Sequence, residues 1–300
     1  MTLSIDIGIL FNTDRMVGPD FLDYARRLEA AGIESVWLAE LFGREPFAAS
    51  GALLSATTTL KVGTAIANVY ARDAIAAAAA SATLAELSGN RFELGLGVSN
   101  RGLNSLRGHT WTAPAPRLET YVQAVRAARI TLPKETAASY PIHVAAHGPK
   151  MLEVAAANAD GVFTYVMNLE HSARTRASLH ESAIQNPTIQ KPMILTPMTM
   201  CLLCPEPDRA RDLCRKALSM YMGLDYYHRA WRALGFTDDD FADGGSDSLV
   251  DAIVAWGSLE DIKARLQAQA DAGADRVVVI PLNPVSGVQP DWDLVGQLAT

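Results

Sequence analysis

The sequence contains little cysteine and no apolar run long enough to cross a bilayer. Three cysteines among 300 residues exclude a disulfide-rich fold and are typical of a reducing compartment. Cys201 and Cys204 have C-x-x-C spacing, but they lie in an apolar run at 192–204 with no second ligand pair. We interpret them as buried free thiols. Residues 1–12 enter a strand without a basic leader, so we expect a cytoplasmic protein with no membrane partner.

Signatures of metal, hydrolase and nucleotide chemistry are also missing. The six histidines form no His–carboxylate cluster at ligand spacing, so no metal site is expected. No G-x-S-x-G motif is present, which argues against a serine hydrolase. GLGVSN at 95–100 has only part of a dinucleotide fingerprint and no helix start directly after it. The formal net charge of −7 disfavours general binding of nucleic acid.

The chain does contain a repeated alternation of strand and helix patterns. Eight strands are predicted, at 4–11, 34–40, 60–67, 91–98, 141–146, 160–166, 193–203 and 275–282. This order favours a parallel sheet of the α/β class, and eight units predict a single (β/α)8 TIM barrel over residues 1–300. An open doubly wound sheet is the alternative. Residues 205–257 do not fit one unit, and we predict a helical insertion there, after the seventh strand.

The segment VGTAIANVYARD at 62–73 has an unusual run of small residues. Gly63, Thr64, Ala65 and Ala67 occur where a buried strand usually carries Val, Ile or Leu. Small residues weaken packing, but they are useful where another group must approach the backbone closely. We therefore expect a ligand to lie against this part of the third strand.

Several predicted strands end in polar residues, at the edge where (β/α)8 barrels have their active sites. Glu40 follows the apolar second strand, Asn68 the third and Asn100 the fourth. Each has a simpler interpretation, Glu40 as a surface carboxylate and the asparagines as turn residues. Several such residues at one edge of the barrel favour an active site more strongly than any one of them does alone.

The segment AAHGPK at 145–150 has the pattern of an anion site. Small residues leave the backbone accessible, Pro149 suits the first turn of a helix, and Lys150 adds a positive charge. An ordinary turn between strand and helix is the alternative. We expect Lys191 to lie away from this rim.

The loop after the fourth strand is basic. Residues 95–118 contain no Asp or Glu but include Arg101, Arg107, His109 and Arg117. In an acidic protein this stretch predicts a local positive rim that suits phosphate or carboxylate groups. Salt bridges to acidic residues of helices are the alternative.

Four segments together resemble the luciferase-like (β/α)8 oxidoreductases. They are VGTAIANVYARD at 62–73, RFELGLGVSN at 91–100, PIHVAAHGPKMLEVAAANADGVF at 141–163 and WGSLEDIKARLQAQADAGADRVVV at 256–279. The resemblance covers essentially the whole chain and is greatest to the branch that uses coenzyme F420, a 5-deazaflavin. It implies a barrel of the bacterial-luciferase type and hydride transfer between F420 and an organic substrate.

The resemblance also implies a cofactor site. In the family a bulge in the third strand, often with a non-prolyl cis peptide, supports the deazaflavin ring, and the matching bond here is Ala65–Ile66. The turn from Ala145 to Gly148 matches the phosphate site, while Glu40 and Ser99–Asn100 would face the ring or the substrate. Glu40 is the expected proton donor or acceptor. The expected cofactor-binding residues are Thr64, Ala65, Ile66, Asn68, Ser99, Asn100, Ala145, Ala146, His147, Gly148, Lys150 and Thr164.

This chain departs from one part of the family it resembles. F420-dependent sugar-phosphate dehydrogenases have a His at the end of the second strand and a Glu after the fourth. Here the corresponding residues are Glu40 and, within one position, Asn100. We therefore do not expect a sugar-phosphate dehydrogenase.

Two other functions fit the same pattern, an FMN-dependent monooxygenase of this fold and a non-catalytic carrier of a flavin or deazaflavin. In each case we expect a small-molecule ligand, no nucleic-acid partner and a homodimer. The insertion carries an aromatic stripe at helical spacing, Tyr221, Tyr226, Tyr227 and Trp231. We interpret this stripe as core or subunit contact rather than as a substrate clamp.

Overall fold

The computed structural model describes residues 3–133, 138–185 and 192–298. Its strands are β1 (Asp6–Leu10), β2 (Ser35–Leu38), β3 (Lys61–Thr64), β4 (Ala67–Asn68), β5 (Phe92–Gly97), β6 (Ile142–Ala145), β7 (Gly161–Tyr165), β8 (Ile194–Leu203), β9 (Ala255–Gly257) and β10 (Arg276–Leu282). Its α-helices are α1 (Gly18–Ala30), α2 (Pro46–Ala56), α3 (Ala74–Ser88), α4 (Arg101–Leu106), α5 (Pro114–Ala127), α6 (Pro149–Asn158), α7 (Leu169–Gln185), α8 (Pro207–Leu218), α9 (Asp225–Ala233), α10 (Asp247–Ile253), α11 (Leu259–Asp271) and α12 (Trp292–Leu298).

The alternation of strands and helices confirms the predicted (β/α)8 barrel. Each predicted strand is present, and neighbouring strands such as β2 and β3, or β5 and β6, pair in parallel. The third predicted strand is divided into β3 and β4. The short strand β9 is missing from the sequence prediction because three residues are too few to show a period of two. Helices α8 to α10 lie between β8 and β9, where the insertion is predicted.

Contacts divide the described residues into two compact units. The larger unit comprises 10–133, 138–163, 179–185 and 192–194, and the smaller unit comprises 3–9, 164–178 and 195–298. The expectation of one domain over 1–300 stays a prediction. Every residue of the site described below, except Thr164, belongs to the larger unit.

Aromatic rings and glycines fill the interior of the larger unit. The Trp37 ring of β2 lies 4.9 Å from the Phe163 ring of β7 and 5.9 Å from the His143 ring of β6. Strand β2 is not a neighbour of β6 or β7 in the sheet. A Cβ atom on Gly63 would come within 2.3 Å of the Trp37 ring. Glycine is therefore required in β3 because the indole occupies the space of its side chain.

The smaller unit contains the insertion and its aromatic stripe. Tyr227 and Trp231 are buried, which confirms the interpretation of these two residues as core. The indole N–H of Trp231 donates a hydrogen bond to the carbonyl oxygen of Val166 at 3.0 Å. This bond ties α9 to the residue that follows β7, and Val166 has a φ of 57°, which is unusual for a β-branched residue.

Two expectations from composition can be compared with the described residues. Cys201, Cys204 and Cys214 are free and buried, as expected for structural thiols. Over the described ranges, none of the helices has both the length and the apolar character that crossing a membrane requires.

Candidate active site

A bulge between β3 and β4 is hydrogen-bonded to the end of β2. The backbone N–H of Ala65 donates to the carbonyl oxygen of Leu38 at 2.7 Å, and the N–H of Glu40 donates to the carbonyl oxygen of Ile66 at 3.3 Å. The peptide bond Ala65–Ile66 is cis, as predicted. Ala65 and Ile66 are half-buried, so the bulge is accessible at the carboxyl end of the strands.

Small residues around the bulge allow backbone segments to approach each other closely. The Thr64 hydroxyl donates to the carbonyl oxygen of Gly95 at 2.7 Å and accepts the N–H of Gly95 at 2.9 Å. A Cβ atom on Gly95 would lie 1.8 Å from the carbonyl oxygen of Thr64, and one on Gly97 would lie 2.7 Å from the Ile66 side chain. Thr64 is fully buried, so its side chain joins β3 to β5 and is not accessible to a ligand.

Glu40 is buried and accepts hydrogen bonds from three residues. One oxygen accepts the backbone N–H of Asn68 at 2.9 Å. The Arg72 guanidinium donates to both oxygens, at 2.9 and 3.0 Å, and Arg107 donates to one at 3.2 Å. The carboxylate is thus the centre of an ion-pair network, which neither of the two sequence interpretations of Glu40 describes. Its assignment as proton donor or acceptor stays a prediction.

Asn68 and Asn104 join the bulge to the loop that follows β5. The Asn68 amide donates to the Asn104 side-chain oxygen at 2.9 Å, and the Asn104 amide donates to the carbonyl oxygens of Val98 and Asn100. Both asparagine side chains are buried. Asn68 therefore has a bridging role, and a direct contact of its side chain with the cofactor, expected from sequence, is not favoured by this geometry.

The residues after β5 form a turn and a helix start. Ser99 has a φ of 58°, in the left-handed region. The Asn100 side chain accepts the N–H of Leu103 at 2.9 Å and caps α4. Asn100 therefore begins a helix, so the expectation that no helix starts directly after GLGVSN at 95–100 was wrong. The predicted cofactor contacts of Ser99 and Asn100 stay predictions.

The segment 145–150 forms the turn between β6 and α6. The N–H of Ala146 donates to the carbonyl oxygen of Phe163 at 3.1 Å, so this amide is not available to an anion, contrary to our expectation. A Cβ atom on Gly148 would meet nothing within 4 Å, which shows open space at the start of α6. Lys150 is exposed in the first turn. Lys191 lies outside the described residues.

A cleft of about 470 Å³ opens beside Glu40. It is lined by Glu40, Leu41, Phe42, Gly43, Arg44, Glu45, Ala71, Arg72 and Arg107. Three lining residues are arginines and two are glutamates. Arg107 forms a salt bridge with Glu40, an acid of the loop after β2 and not of a helix, as the alternative interpretation of the basic loop had it. Arg117 instead lies over the Tyr70 ring, 4.8 Å from its centre, and donates to the carbonyl oxygen of Val69.

Arg72 and Asn104 are the residues of this network that the sequence analysis missed. Arg72 lies in the loop between β4 and α3, inside the segment 62–73 quoted above, and this position was the available signal. Tyr121 supports the Arg72 backbone, because its hydroxyl donates to the Arg72 carbonyl oxygen at 3.1 Å. Burial raises the pKa of Tyr121 to about 12, so the phenol remains a donor at neutral pH.

Thr164 lies in the smaller unit and is buried in β7. Successive side chains of a strand point to opposite faces, and Phe163 points to the interior where Trp37 and His143 lie. The Thr164 side chain is therefore on the other face of β7. This orientation does not favour its predicted contact with a cofactor at the strand ends.

The bulge and the cleft beside it are the features of the described residues that could receive an organic ligand. Across these ranges no group of three or more His, Cys, Asp or Glu residues is arranged to hold a metal ion. The bulge at Ala65 and Ile66 exposes backbone and the Ala65 methyl group, and the cleft beside it carries fixed charges. Such an arrangement can support a flat ring and bind a polar group next to it.

Known proteins of similar sequence and structure cover nearly the whole chain. A 5,10-methylenetetrahydromethanopterin reductase from Methanolobus tindarius is 25% identical over 296 residues, covering 87% of this chain and 90% of the relative. An F420-dependent secondary alcohol dehydrogenase, solved with an F420–acetone adduct, aligns with a TM-score of 0.74 at 16% identity and 99% coverage of both chains. The oxygenating constituent of 3,6-diketocamphane monooxygenase from Pseudomonas putida, solved with FMN, aligns with a TM-score of 0.68 at 14% identity, covering 99% of this chain and 97% of its own.

One protein family accounts for the fold and for most of the chain. The family described as luciferase-like monooxygenase matches residues 12–276, which include every strand from β2 to β9 and the bulge at Ala65–Ile66. The chain therefore belongs to the luciferase-like monooxygenase family.

Proposed function

We propose that this protein is an oxidoreductase that uses coenzyme F420 to pass a hydride to or from an organic substrate. The observation that carries the proposal is the bulge between β3 and β4. Ala65 and Ile66 are accessible there, and Leu38 and Glu40 hold their backbone in place. A flat ring can rest against the backbone there because Ala65 carries only a methyl group.

Relatives support both the reaction class and the cofactor. Membership in the luciferase-like monooxygenase family makes oxidation–reduction the expected chemistry. Coenzyme F420 is named for the secondary alcohol dehydrogenase of the same fold, and the Methanolobus relative is a reductase. The acetone adduct of that dehydrogenase and the pterin of that reductase belong to those proteins, and this chain's own substrate is left unnamed.

The residues of the larger unit suit F420 at two points. Ala65 and Ile66 would support the deazaflavin ring, and the open start of α6 at Gly148, with Lys150 beside it, would hold the phosphate. When bound, F420 supplies a ring carbon that accepts or donates a hydride. The protein would orient the ring and exclude water from it.

Glu40 would position the site rather than exchange a proton. Its two oxygens already accept four hydrogen bonds, from Asn68, Arg72 and Arg107. Through the Asn68 N–H and its own backbone N–H it holds both sides of the bulge. This role keeps Glu40 in the site predicted from sequence and changes what it does there.

FMN is the second candidate cofactor, because a monooxygenase of this fold is solved with FMN bound. A titration of the purified protein with each cofactor, followed by fluorescence anisotropy, separates the two. We expect sub-micromolar affinity for F420 and an affinity for FMN at least about tenfold weaker. The reverse order would support the monooxygenase, and binding of neither would overturn both proposals.

A non-catalytic carrier would give a third result, in binding and absorbance measurements together. It would bind F420 tightly and leave the F420 absorbance unchanged with every member of a panel of alcohols. Bleaching of that absorbance by any alcohol would support hydride transfer, because reduction of the ring removes the chromophore.

A further inference from the structure

Arg107 is the most weakly held of the cations around Glu40. Its guanidinium donates to a Glu40 oxygen at 3.2 Å and to the carbonyl oxygen of Leu41 at 3.4 Å, the longest bonds in the network. Its side chain is one quarter exposed, at 25%. Arg72, by comparison, forms three bonds of 2.9 to 3.0 Å to Glu40 and Glu45 and lies over the Phe47 ring.

Glu40 does not depend on Arg107 for a partner. Arg72 contacts both oxygens with two parallel N–H groups, which is the strongest geometry for an arginine and a carboxylate. The Asn68 N–H supplies a further donor. If Arg107 moved away, Glu40 would keep its charge partner and three of its four hydrogen bonds.

The cleft is lined by charged side chains of both signs. Arg44, Arg72 and Arg107 contribute three positive charges, against two negative charges from Glu40 and Glu45. The Arg44 guanidinium donates to backbone carbonyl oxygens of Thr13 and Met16, so its position is fixed by neutral groups. The Asp14 carboxylate accepts the Arg44 backbone N–H at 2.9 Å and balances the third positive charge. Arg107 is therefore the arginine that is able to turn towards an anion in the cleft.

Apolar surface lies next to this charge. Phe42 lines the cleft and is 66% exposed, and Leu41 lines it too. An exposed phenylalanine beside an arginine suits a ligand with a flat apolar body and a carboxylate. The volume of about 470 Å³ is large enough for a molecule of this kind.

We propose that Arg107 binds the carboxylate of an organic acid substrate, whose apolar body lies against Phe42 and Leu41. On binding, the substrate carboxylate takes the Arg107 donors, and Glu40 remains paired with Arg72. The assignment of this ligand as the substrate rests on the proposed function. The anion site itself requires only the cleft and its charges.

Two probes of equal shape test the site. 2-Naphthoate and 2-naphthamide share one ring system, and only the first carries a negative charge. Isothermal titration calorimetry of each probe gives their affinity ratio for the wild-type protein. We expect 2-naphthoate to bind about tenfold more tightly, because a hydrogen bond to a charged group contributes about that factor.

Three variants test whether the preference for 2-naphthoate over 2-naphthamide depends on Arg107. Arg107→Gln should bind both probes equally, and Arg107→Lys should keep part of the preference because it retains the charge. Arg129→Gln is the matched control, since Arg129 is exposed after α5 and away from the cleft residues. It should keep the wild-type ratio.

The outcomes separate this inference from the proposed function. Equal binding of both probes to the wild type, no binding of either, or a preference that survives in Arg107→Gln would overturn the anion site. F420 affinity, measured by anisotropy on the same samples, tests the cofactor independently. A preference that depends on Arg107 without F420 binding would support the anion site and refute the proposed function, and F420 binding without the preference would do the opposite.

Discussion

The Glu40 carboxylate accepts the backbone N–H of Asn68 at 2.9 Å, so the loop after β2 holds the end of β4. The same carboxylate binds Arg72 and Arg107. Glu40 thereby links the accessible bulge to the charged cleft. A change at this position should affect both, and stability as well.

Glu40→Gln should destabilise the protein. Glutamine keeps the shape and an acceptor for the Asn68 N–H, but it leaves Arg72 and Arg107 without their shared anion. We expect a loss of about 2–3 kcal/mol in the free energy of unfolding, less than for a fully buried pair because both arginines are partly exposed. Urea denaturation at neutral pH measures it. Glu45→Gln is the control, since Glu45 is 49% exposed and should cost less than about 1 kcal/mol.

Ala65→Leu should separate ring support from packing. A leucine side chain would rise from the floor on which the ring is proposed to rest, so F420 affinity should fall while the melting temperature changes little. If the small residues are instead ordinary barrel packing, overpacking would cost about 1–3 kcal/mol of stability. Thermal unfolding and F420 anisotropy on one sample decide between them. A large drop in melting temperature with binding retained in the cold would refute ring support.

Lys150→Glu should weaken F420 binding. The change introduces a negative charge in the first turn of α6, where helix geometry favours an anion. Arg26→Glu is the matched control, because Arg26 is exposed on α1 and the change in charge is the same. Fluorescence titration at low and high salt measures both. Equal, small losses in the two variants would mean that AAHGPK at 145–150 is only a turn.

Glu29 should make stability depend on pH in the acid range. Burial raises the pKa of this carboxyl, but hydrogen bonds from the N–H groups of Thr59, Leu60 and Thr58 outweigh it and lower the pKa to about 2. The folded pKa is thus below the ordinary value of 4.5. The resulting stability is complete above 4.5 and is lost as the pH falls from there towards 2.

Glu29→Gln tests this dependence by denaturation at a series of pH values. The wild type should be more stable than the variant near neutral pH, and the difference should shrink between roughly pH 5 and pH 3. Glu153→Gln, an exposed change on α6, should leave the curve unchanged. A difference that stays constant with pH would contradict the assignment.

Local patterns predicted the strands because the two-residue period of a strand can be recognised from adjacent residues. The fourth predicted strand, 91–98, is found as Phe92–Gly97, and the run of small residues marks the bulge. The start of α6 at Pro149 was also predicted locally, whereas the start of α4 after Asn100 was not. The family resemblance supplied the cis bond at Ala65–Ile66, which the residues themselves did not indicate.

The polar network around Glu40 could not be predicted from local sequence patterns. Arg72 and Asn104 have ordinary local surroundings, one after a strand and one inside a short helix. Their roles follow from the packing of α4 and the loop after β4 at one end of neighbouring strands. Likewise, the Ala146 N–H was expected to be open, but strand β7 provides its acceptor, Phe163, which lies far along the chain.

The sequence by itself determined the alternation of strands and helices, and therefore the barrel and the edge at which its active site would be. It also determined which residues there are polar or small. Only the tertiary structure decided that Glu40 is paired, because its partners lie 28, 32 and 67 residues away in the chain. Periodicity is a property of neighbours in sequence, whereas an ion pair depends on which strand ends meet in space.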